Sequence, residues 1–163
     1  MIPIQVPEGY GIDVARMMTE LVDKYDVDSH MLRLEITETA LLGKPDKCES
    51  IVAGLRQRGF LVEIDDFGKD NSTLSFLKDI KADVLKIDMS FLQEIKDNER
   101  NQIILKSVIS MADSLGMDVI TEGVETEEQL RVLTEMGCNH FQGYFFCRPV
   151  PVDVFEMKYS VAE

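Results

Sequence analysis

The sequence predicts an α/β fold with a parallel sheet, and its length suits an incomplete (β/α) barrel. Short apolar runs alternate with longer stretches of helical period, which is typical of βα units in a parallel sheet. Gly59, Gly116 and Gly137 each follow a predicted helix and precede a predicted strand, where a left-handed C-cap is favoured. The chain has 163 residues, whereas such barrels take about 250 and rarely fewer than about 200.

The elements alternate along the chain. Strands are predicted over residues 2–6, 31–36, 60–64, 84–87, 118–121 and 140–142. Helices are predicted over residues 14–25, 46–58, 72–78, 99–115 and 127–136. The helix over 99–115 should pack on the outside of the sheet through one apolar stripe, formed by Ile103, Ile104, Val108, Met111 and Leu115. Met17, Met18 and Met111 are expected in the core. With six strands rather than eight, the sheet has open edges.

Composition restricts the class of protein. Hydrophobic residues make up 45% and charged residues 29% of the chain, which indicates one globular domain over residues 1–163. The absence of a long apolar run or a leader-like N-terminus predicts a cytoplasmic protein with no membrane segment. Cys48, Cys138 and Cys147 lie far apart and are expected to be reduced thiols. The net charge of -13 argues against binding to duplex DNA or RNA.

Polar side chains lie in or just after nearly every predicted strand. The C-terminal ends of parallel strands form one face, where active sites are assembled from several strands. The residues concerned are Glu35 and Glu38, Asp65 and Asp66, Lys86 and Asp88, Glu122 and Glu125, and Gln142. Strand alternation places Leu34 and Ile36 toward the helices, so Glu35 points inward, and the same argument places Lys86 in the barrel interior.

Several carboxylates around one lysine indicate a divalent cation site. Hard oxygen ligands favour magnesium, manganese or calcium over zinc. Asp65 and Asp66 could bridge or separately hold two cations, an arrangement suited to phosphodiester hydrolysis. Lys86 would neutralise a phosphate or orient the attacking water, Glu122 could accept its proton, and Gln142 could hold that water or a phosphate oxygen.

Each of these residues also has a structural interpretation. A single acid after a strand is more often a helix N-cap or a surface charge. Glu125 precedes Thr126, which forms a capping-box pattern with Gln129, so a cap and a functional role are both open for Glu125. The functional interpretation depends on the joint placement of these side chains on one face.

The sequence resembles the EAL-domain family of bacterial cyclic di-GMP-specific phosphodiesterases over residues 31–149. The resemblance is carried by five motifs in order: LRLEITETALL, FLVEIDDFG, ADVLKIDMSFL, VITEGVETEEQL and GCNHFQGYFFCRP. It implies a modified TIM (β/α) barrel of the EAL type and the hydrolysis of cyclic di-GMP to pGpG with Mg²⁺ or Mn²⁺ at a two-metal site.

The resemblance also implies roles for individual residues. Glu35, Asp65 and Asp66 would be metal ligands, Lys86 would lie at the metal-bound water, and Glu122 would be the general base. Glu125 and Gln142 would line the metal and water network. Glu38 would stabilise the loop after Asp66.

Three departures from the family pattern leave a second interpretation open. No Glu-Ala-Leu tripeptide, with its metal-binding glutamate and the arginine that follows it, occurs in the chain, and we expect it upstream of Met1. The first strand leads into Pro7-Glu8-Gly9 instead of a metal-binding asparagine. The loop after DDFG, which in the family couples dimerisation to metal binding, reads Lys69-Asp70-Asn71-Ser72-Thr73 instead of Thr or Ser followed by Gly-Tyr-Ser-Ser.

The sequence therefore supports two functions. One is a cyclic di-GMP phosphodiesterase, and the alternative is a catalytically inactive EAL-like domain that binds cyclic di-GMP or a protein partner. The expected partners are cyclic di-GMP, a second copy of the chain in a homodimer, and an upstream sensor or GGDEF domain.

Overall fold

The computed structural model describes residues 4–5, 14–37, 45–69, 77–92, 95 and 98–159. The strands are β1 (Ile4–Gln5), β2 (Arg33–Thr37), β3 (Leu61–Phe67), β4 (Val84–Ile87), β5 (Asp118–Thr121) and β6 (His140–Phe141). The α-helices are α1 (Val14–Tyr25), α2 (Pro45–Gln57), α3 (Glu99–Ser114), α4 (Glu127–Glu135) and α5 (Val152–Tyr159). Short 3₁₀ helices cover Ser29–Met31 and Met89–Leu92.

The six strands form one parallel sheet in chain order, from β1 to β6. Helices α1, α2, α3 and α4 each connect two neighbouring strands, which is the connectivity of a (β/α) barrel. Within the described residues, β1 and β6 are the two ends of the sheet and do not pair with each other. The prediction of an incomplete α/β barrel is therefore confirmed. Residues 72–76, which carry most of the helix predicted over 72–78, lie outside the described residues.

The core lies between the sheet and the helices that cover one of its faces. Leu34 and Ile36 of β2, and Leu85 and Ile87 of β4, are no more than 3% exposed and belong to this core. Because side chains alternate along a strand, the residues between them face the other side. Lys86 lies there and is also buried, as the alternation predicted.

Helix α3 packs on the sheet, but not through the stripe that the sequence predicted. Its buried residues are Leu105, Val108, Ile109 and Ala112. Ile103, Ile104 and Leu115 are 60%, 45% and 50% exposed, so the predicted stripe is wrong except for Val108 and the partly buried Met111. The true stripe is rotated by roughly one residue, about 100° around the helix axis. This stripe includes Leu105 and Ala112, which are both fully buried.

Helix α1 shows a similar difference. Ala15, Met18 and Val22 recur every three to four residues and form its buried face, whereas Met17 is 41% exposed. The prediction of a core position is therefore correct for Met18 and wrong for Met17, since adjacent helical positions point about 100° apart.

The predicted helix ends are confirmed at the three glycines. Gly59, Gly116 and Gly137 have φ angles of 86°, 73° and 98°, the left-handed conformation that glycine adopts without a steric penalty. None of the helices in the described ranges combines the length and apolar character needed to cross a bilayer.

Candidate functional site

The side chain of Lys86 lies at the centre of three carboxylates that come from three other segments. Its Nζ is 2.6 Å from Glu35 Oε1 on β2, 2.9 Å from Asp65 Oδ1 on β3 and 2.7 Å from Glu122 Oε1, just after β5. The Lys86, Glu35 and Asp65 side chains are no more than 12% exposed, and Glu122 is 21% exposed. The structure therefore brings together four side chains that the sequence placed on one face.

The electrostatics of this group are unbalanced. Three carboxylates surround one ammonium, so two negative charges are left over when all are ionised. Burial acts to lower the pKa of Lys86, but contacts with Glu122, Glu35 and Asp65 outweigh it and raise the pKa above its ordinary value. Burial raises the pKa of Glu35, and the hydrogen bond from Lys86 offsets this only in part. The ammonium is thus retained throughout the physiological pH range.

A β-bulge in β3 allows the side chains of Asp65 and Asp66 to face the same side of the sheet. Ile64 pairs with Leu85 and Phe67 with Ile87, so β3 has one more residue than β4 between these pairs. Ile64 and Phe67 are both buried in the core, and Asp66 has a φ of 58°. In a regular strand, alternation would turn the side chain of Asp66 away from that of Asp65. The extra residue of a bulge changes the direction of the side chains, so the two can face the same side. Asp66 consequently lines the open end of the site.

A second ion pair lies beneath the Lys86 group. Glu63 is fully buried and pairs in register with Glu35 on β2. Arg33 Nη1 donates a hydrogen bond of 2.9 Å to Glu63 Oε1, while Glu63 Oε2 accepts none among the described groups. This pair was not singled out from the sequence. Strand alternation could have indicated it. Arg33 lies two residues before Glu35 and Glu63 two residues before Asp65, so each shares the inward face of its strand.

An open cavity of about 1070 Å³ lies at the C-terminal ends of the strands. Such a volume is ample for a small-molecule ligand, since ligand sites usually measure roughly 300–1,000 Å³. Predicted site residues that line it are Asp66, Glu122, Glu125 and Gln142. Asp88, which the sequence placed on this face in a structural role, lines it too. Further residues that line it were not singled out from the sequence as site residues: Lys69, Tyr144 and Arg148. A cavity of about 580 Å³ near Arg56 and Asp83 contains none of the predicted site residues.

The segments that carry Glu125 and Gln142 are packed tightly against each other. A Cβ placed on Gly143 would lie 2.1 Å from the carbonyl oxygen of Val124, so only glycine fits there. Val124 N donates to Gln142 O at 3.1 Å. These contacts hold the two rim segments at a fixed separation.

The capping box predicted at the start of α4 is present. Gln129 N donates to Thr126 Oγ1, and the Gln129 side chain accepts from Thr126 N. Glu125 contributes its backbone N–H to Gln129 Oε1 at 2.8 Å, while the residue is exposed and lines the cavity. The cap therefore uses the backbone of Glu125 and leaves its carboxylate available. Glu38 lies outside the described residues.

The residues fit a divalent cation in charge and donor type. Carboxylate oxygens suit magnesium, manganese and calcium. Asp65 Oδ1 is buried, and its contact with Lys86 is not aligned as a hydrogen bond, which leaves it able to accept a further cation. Among the described side chains, no three His, Cys, Asp or Glu residues form a ready-made metal site. The ammonium of Lys86 lies among the carboxylates instead.

Comparison with known proteins gives consistent matches. The EAL domain family model matches residues 12–149. Signaling protein YkoW of Bacillus subtilis is 36% identical over 144 residues, which are 88% of this chain and 18% of YkoW. Cyclic di-GMP phosphodiesterase NbdA of Pseudomonas aeruginosa is 41% identical over 125 residues, which are 77% of this chain and 16% of NbdA. The chain therefore spans less than a fifth of the length of these relatives.

A solved structure extends the similarity to three dimensions. The complex of Klebsiella pneumoniae BlrP1 with manganese and cyclic di-GMP superimposes with a TM-score of 0.84 and 30% sequence identity. The match covers 90% of this chain and 38% of that chain. With the family model matching most of its length, this chain belongs to the EAL domain family.

Proposed function

We propose that this chain carries the catalytic face of a cyclic di-GMP phosphodiesterase domain and hydrolyses cyclic di-GMP to pGpG. The observation that carries the proposal is the convergence of Glu35, Asp65 and Glu122 on Lys86 at the end of a large open cavity. Membership of the EAL domain family, which includes relatives named as cyclic di-GMP phosphodiesterases, supports this choice of substrate.

The residues would divide the chemistry among them. Glu122 is the most exposed of the three carboxylates around Lys86, and it lines the cavity, so it can accept the proton of an attacking water. Lys86 keeps its charge and holds the Glu122 carboxylate in place. The same ammonium supplies positive charge where the phosphodiester becomes more negative. Gln142 and Glu125 line the same cavity and would orient water or a phosphate oxygen.

A divalent cation would be held by Glu35, Asp65 and Asp66. When bound, Mg²⁺ or Mn²⁺ would stabilise negative charge on the phosphate oxygens. Manganese is present with cyclic di-GMP in BlrP1, which supports a divalent cation, and the hard carboxylate donors suit Mg²⁺ as well as Mn²⁺. Glu38 is proposed to support the loop after Asp66.

A second candidate is a domain that binds cyclic di-GMP or a protein partner without hydrolysing it. It is favoured by the ammonium of Lys86, which already neutralises part of the carboxylate charge, and by the altered loop after DDFG, which reads Lys69-Asp70-Asn71-Ser72-Thr73. In this case the cavity would bind the nucleotide and the carboxylate group would be structural.

Turnover separates the two candidates. The purified chain is incubated with cyclic di-GMP and either Mg²⁺ or Mn²⁺, and the products are separated by chromatography. Formation of pGpG that is abolished by Glu122→Gln supports the phosphodiesterase. Nucleotide binding by calorimetry with no pGpG supports the nucleotide-binding domain. The absence of both results contradicts the phosphodiesterase and nucleotide binding alike and favours a protein partner.

We further propose a cytoplasmic location, a homodimer, and an upstream sensor or GGDEF domain in the native protein. The buried thiol of Cys138, whose Sγ lies 3.2 Å from Thr121 Oγ1, suits a reducing compartment. The open ends of the sheet favour self-association. Sedimentation of the purified chain tests the dimer.

A further inference from the structure

A second lysine contacts a predicted metal ligand. Lys69 Nζ lies 3.3 Å from Asp66 Oδ1 and 3.2 Å from Asp66 Oδ2. Both residues line the large cavity, and their side chains are 58% and 34% exposed. The ammonium therefore faces both oxygens of the carboxylate, on the side that is open to solvent.

The position of Lys69 is set by a turn rather than by its side chain alone. Lys69 N donates to Asp66 O at 3.2 Å, which closes a four-residue turn from Asp66 to Lys69. Gly68 has a φ of 92°, as the third residue of such a turn requires. Phe67 is buried in the core, and a Cβ on Gly68 would lie 1.9 Å from the ring of Phe91. The turn is therefore fixed at its middle two residues.

The carboxylates of Asp65 and Asp66 contact the ammonium groups of two different lysines. Asp65 contacts the buried Lys86, whose ammonium is shared with Glu35 and Glu122. Asp66 contacts the more exposed Lys69 instead. The adjacent carboxylates of the bulge thus each contact a different lysine. The Lys69–Asp66 contact is the more exposed of the two, with side chains 58% and 34% exposed against 6% and 12% for Lys86 and Asp65.

We propose that Lys69 is a built-in competitor of the divalent cation at Asp66 and thereby sets the cation affinity of the site. Its ammonium neutralises Asp66 in the metal-free chain, and a cation must displace it or bind against its charge. Because the pair is largely exposed and screened, the competition is moderate rather than complete. This inference rests on the proposed function, in which Asp66 is a metal ligand.

The test is the binding of Mn²⁺ alone, followed by electron paramagnetic resonance, to the wild-type chain and to Lys69→Gln. Glutamine keeps a polar, hydrogen-bonding side chain that is one bond shorter, and it removes the charge. We expect Lys69→Gln to bind Mn²⁺ more tightly by roughly 1.5- to fivefold, the range that the loss of one exposed ion pair allows. Circular dichroism checks that both proteins are folded.

Two controls show whether the effect acts through Asp66. Lys78→Gln removes the same charge from an exposed lysine whose Nζ is 3.7 Å from Asp79 Oδ2, outside the cavity, and should leave Mn²⁺ affinity unchanged. In an Asp66→Asn background, Lys69→Gln should no longer increase the affinity.

The outcomes separate the inference from the function. Equal Mn²⁺ affinity of the wild type and Lys69→Gln overturns the inference and leaves the proposed function standing. An equal gain in Lys78→Gln also overturns it, because the effect would then be one of net charge. If neither the wild type nor Lys69→Gln binds Mn²⁺, the inference and the metal-dependent function both fail.

Discussion

Lys86 Nζ lies 2.6 Å from Glu35 Oε1, although 51 positions of the chain separate the two residues. They belong to β4 and β2, and β3 lies between these strands in the sheet. The contact therefore spans an intervening strand, which only side chains that point to the same face can do. It links three parallel strands through a single buried ammonium, and that link has measurable consequences.

Replacing Lys86 by methionine should destabilise the fold. Methionine is unbranched and only one atom shorter than lysine, but it leaves the carboxylates of Glu35 and Asp65 buried without their counter-ion. We expect the free energy of unfolding in urea to fall by about 3–5 kcal/mol. Lys106→Met, at an exposed position of α3, should change it by less than about 0.5 kcal/mol. A similar small loss in both variants would contradict the importance of the buried contacts.

The raised pKa of Lys86 predicts a specific loss of stability at alkaline pH. Since the folded-state pKa lies above the ordinary value of 10.5, the contribution of Lys86 is fully present below that value. It is lost progressively as the pH rises above 10.5 toward the folded-state pKa. We expect the melting temperature of the wild type to fall more steeply above pH 10.5 than that of Lys86→Met. Parallel pH profiles for the two proteins would show that the pKa is not raised.

Glu122→Gln should abolish the formation of pGpG while the fold is retained. Glutamine is nearly isosteric with glutamate but is a poor base, so we expect turnover to fall by at least about 100-fold. Lys86 keeps Glu35 and Asp65 as partners, so the melting temperature should change little. Glu127→Gln, in the exposed first turn of α4, is the control and should retain wild-type turnover. Turnover by Glu122→Gln close to that of the wild type would exclude Glu122 as the base.

The buried pair of Arg33 and Glu63 should behave as a coupled unit. Arg33→Met removes the counter-ion of a carboxylate that is 1% exposed, whereas Arg33 itself is 27% exposed. We expect a loss of about 2–3 kcal/mol in unfolding free energy, somewhat less than for a fully buried pair. The double variant Arg33→Met, Glu63→Leu should regain most of that stability, because it removes both charges together. Additive losses in a double-mutant cycle would contradict this coupling.

Gly143→Ala should separate the rim segments that carry Glu125 and Gln142. The new Cβ would clash with the backbone of Val124, which cannot rotate away as a side chain can. Overpacking of this kind lowers the unfolding free energy by about 1–3 kcal/mol. Turnover should fall as well, because both cavity-lining residues move. The matched control is Gly137→Ala, where φ is 98° but no atom lies within 4 Å of the added Cβ. This variant should lose about 1–2 kcal/mol of unfolding free energy through backbone strain and should keep wild-type turnover. Normal turnover in a folded Gly143→Ala protein would show that the spacing is unimportant.

Much of the fold was predictable from local patterns. The alternation of apolar runs and helical stretches predicted each strand within a few residues, and the period of two placed Glu35 and Lys86 inside the barrel. Helix α5 was not predicted, because none of its side chains is buried and no apolar stripe is therefore required of the sequence. The direction in which α3 faces also depends on contacts with the sheet, which a helical pattern with two apolar arcs does not determine.

The sequence could predict which residues lie together at the candidate site, but not the direction or the partners of each side chain. Joint placement at the strand ends brought together Glu35, Asp65, Lys86 and Glu122. The period of two could not indicate that Asp66 faces the same way as Asp65, because this depends on the extra residue in β3. The contact between Lys69 and Asp66 likewise follows from a turn whose geometry is set by Gly68 and Phe91, a residue distant in sequence.

The bulge in β3 also separates the residues of this strand that pack in the core from those that face the candidate site. Ile64 and Phe67 keep their places in the core on either side of it, so the packing of the helices depends on those two residues. The acids between them do not contribute to the apolar core. Mutation at Asp66 can therefore alter the charge that the strand presents to the open cavity while the apolar residues that pack the strand against the helices stay the same. This makes the strand a point where activity can diverge without a change of fold.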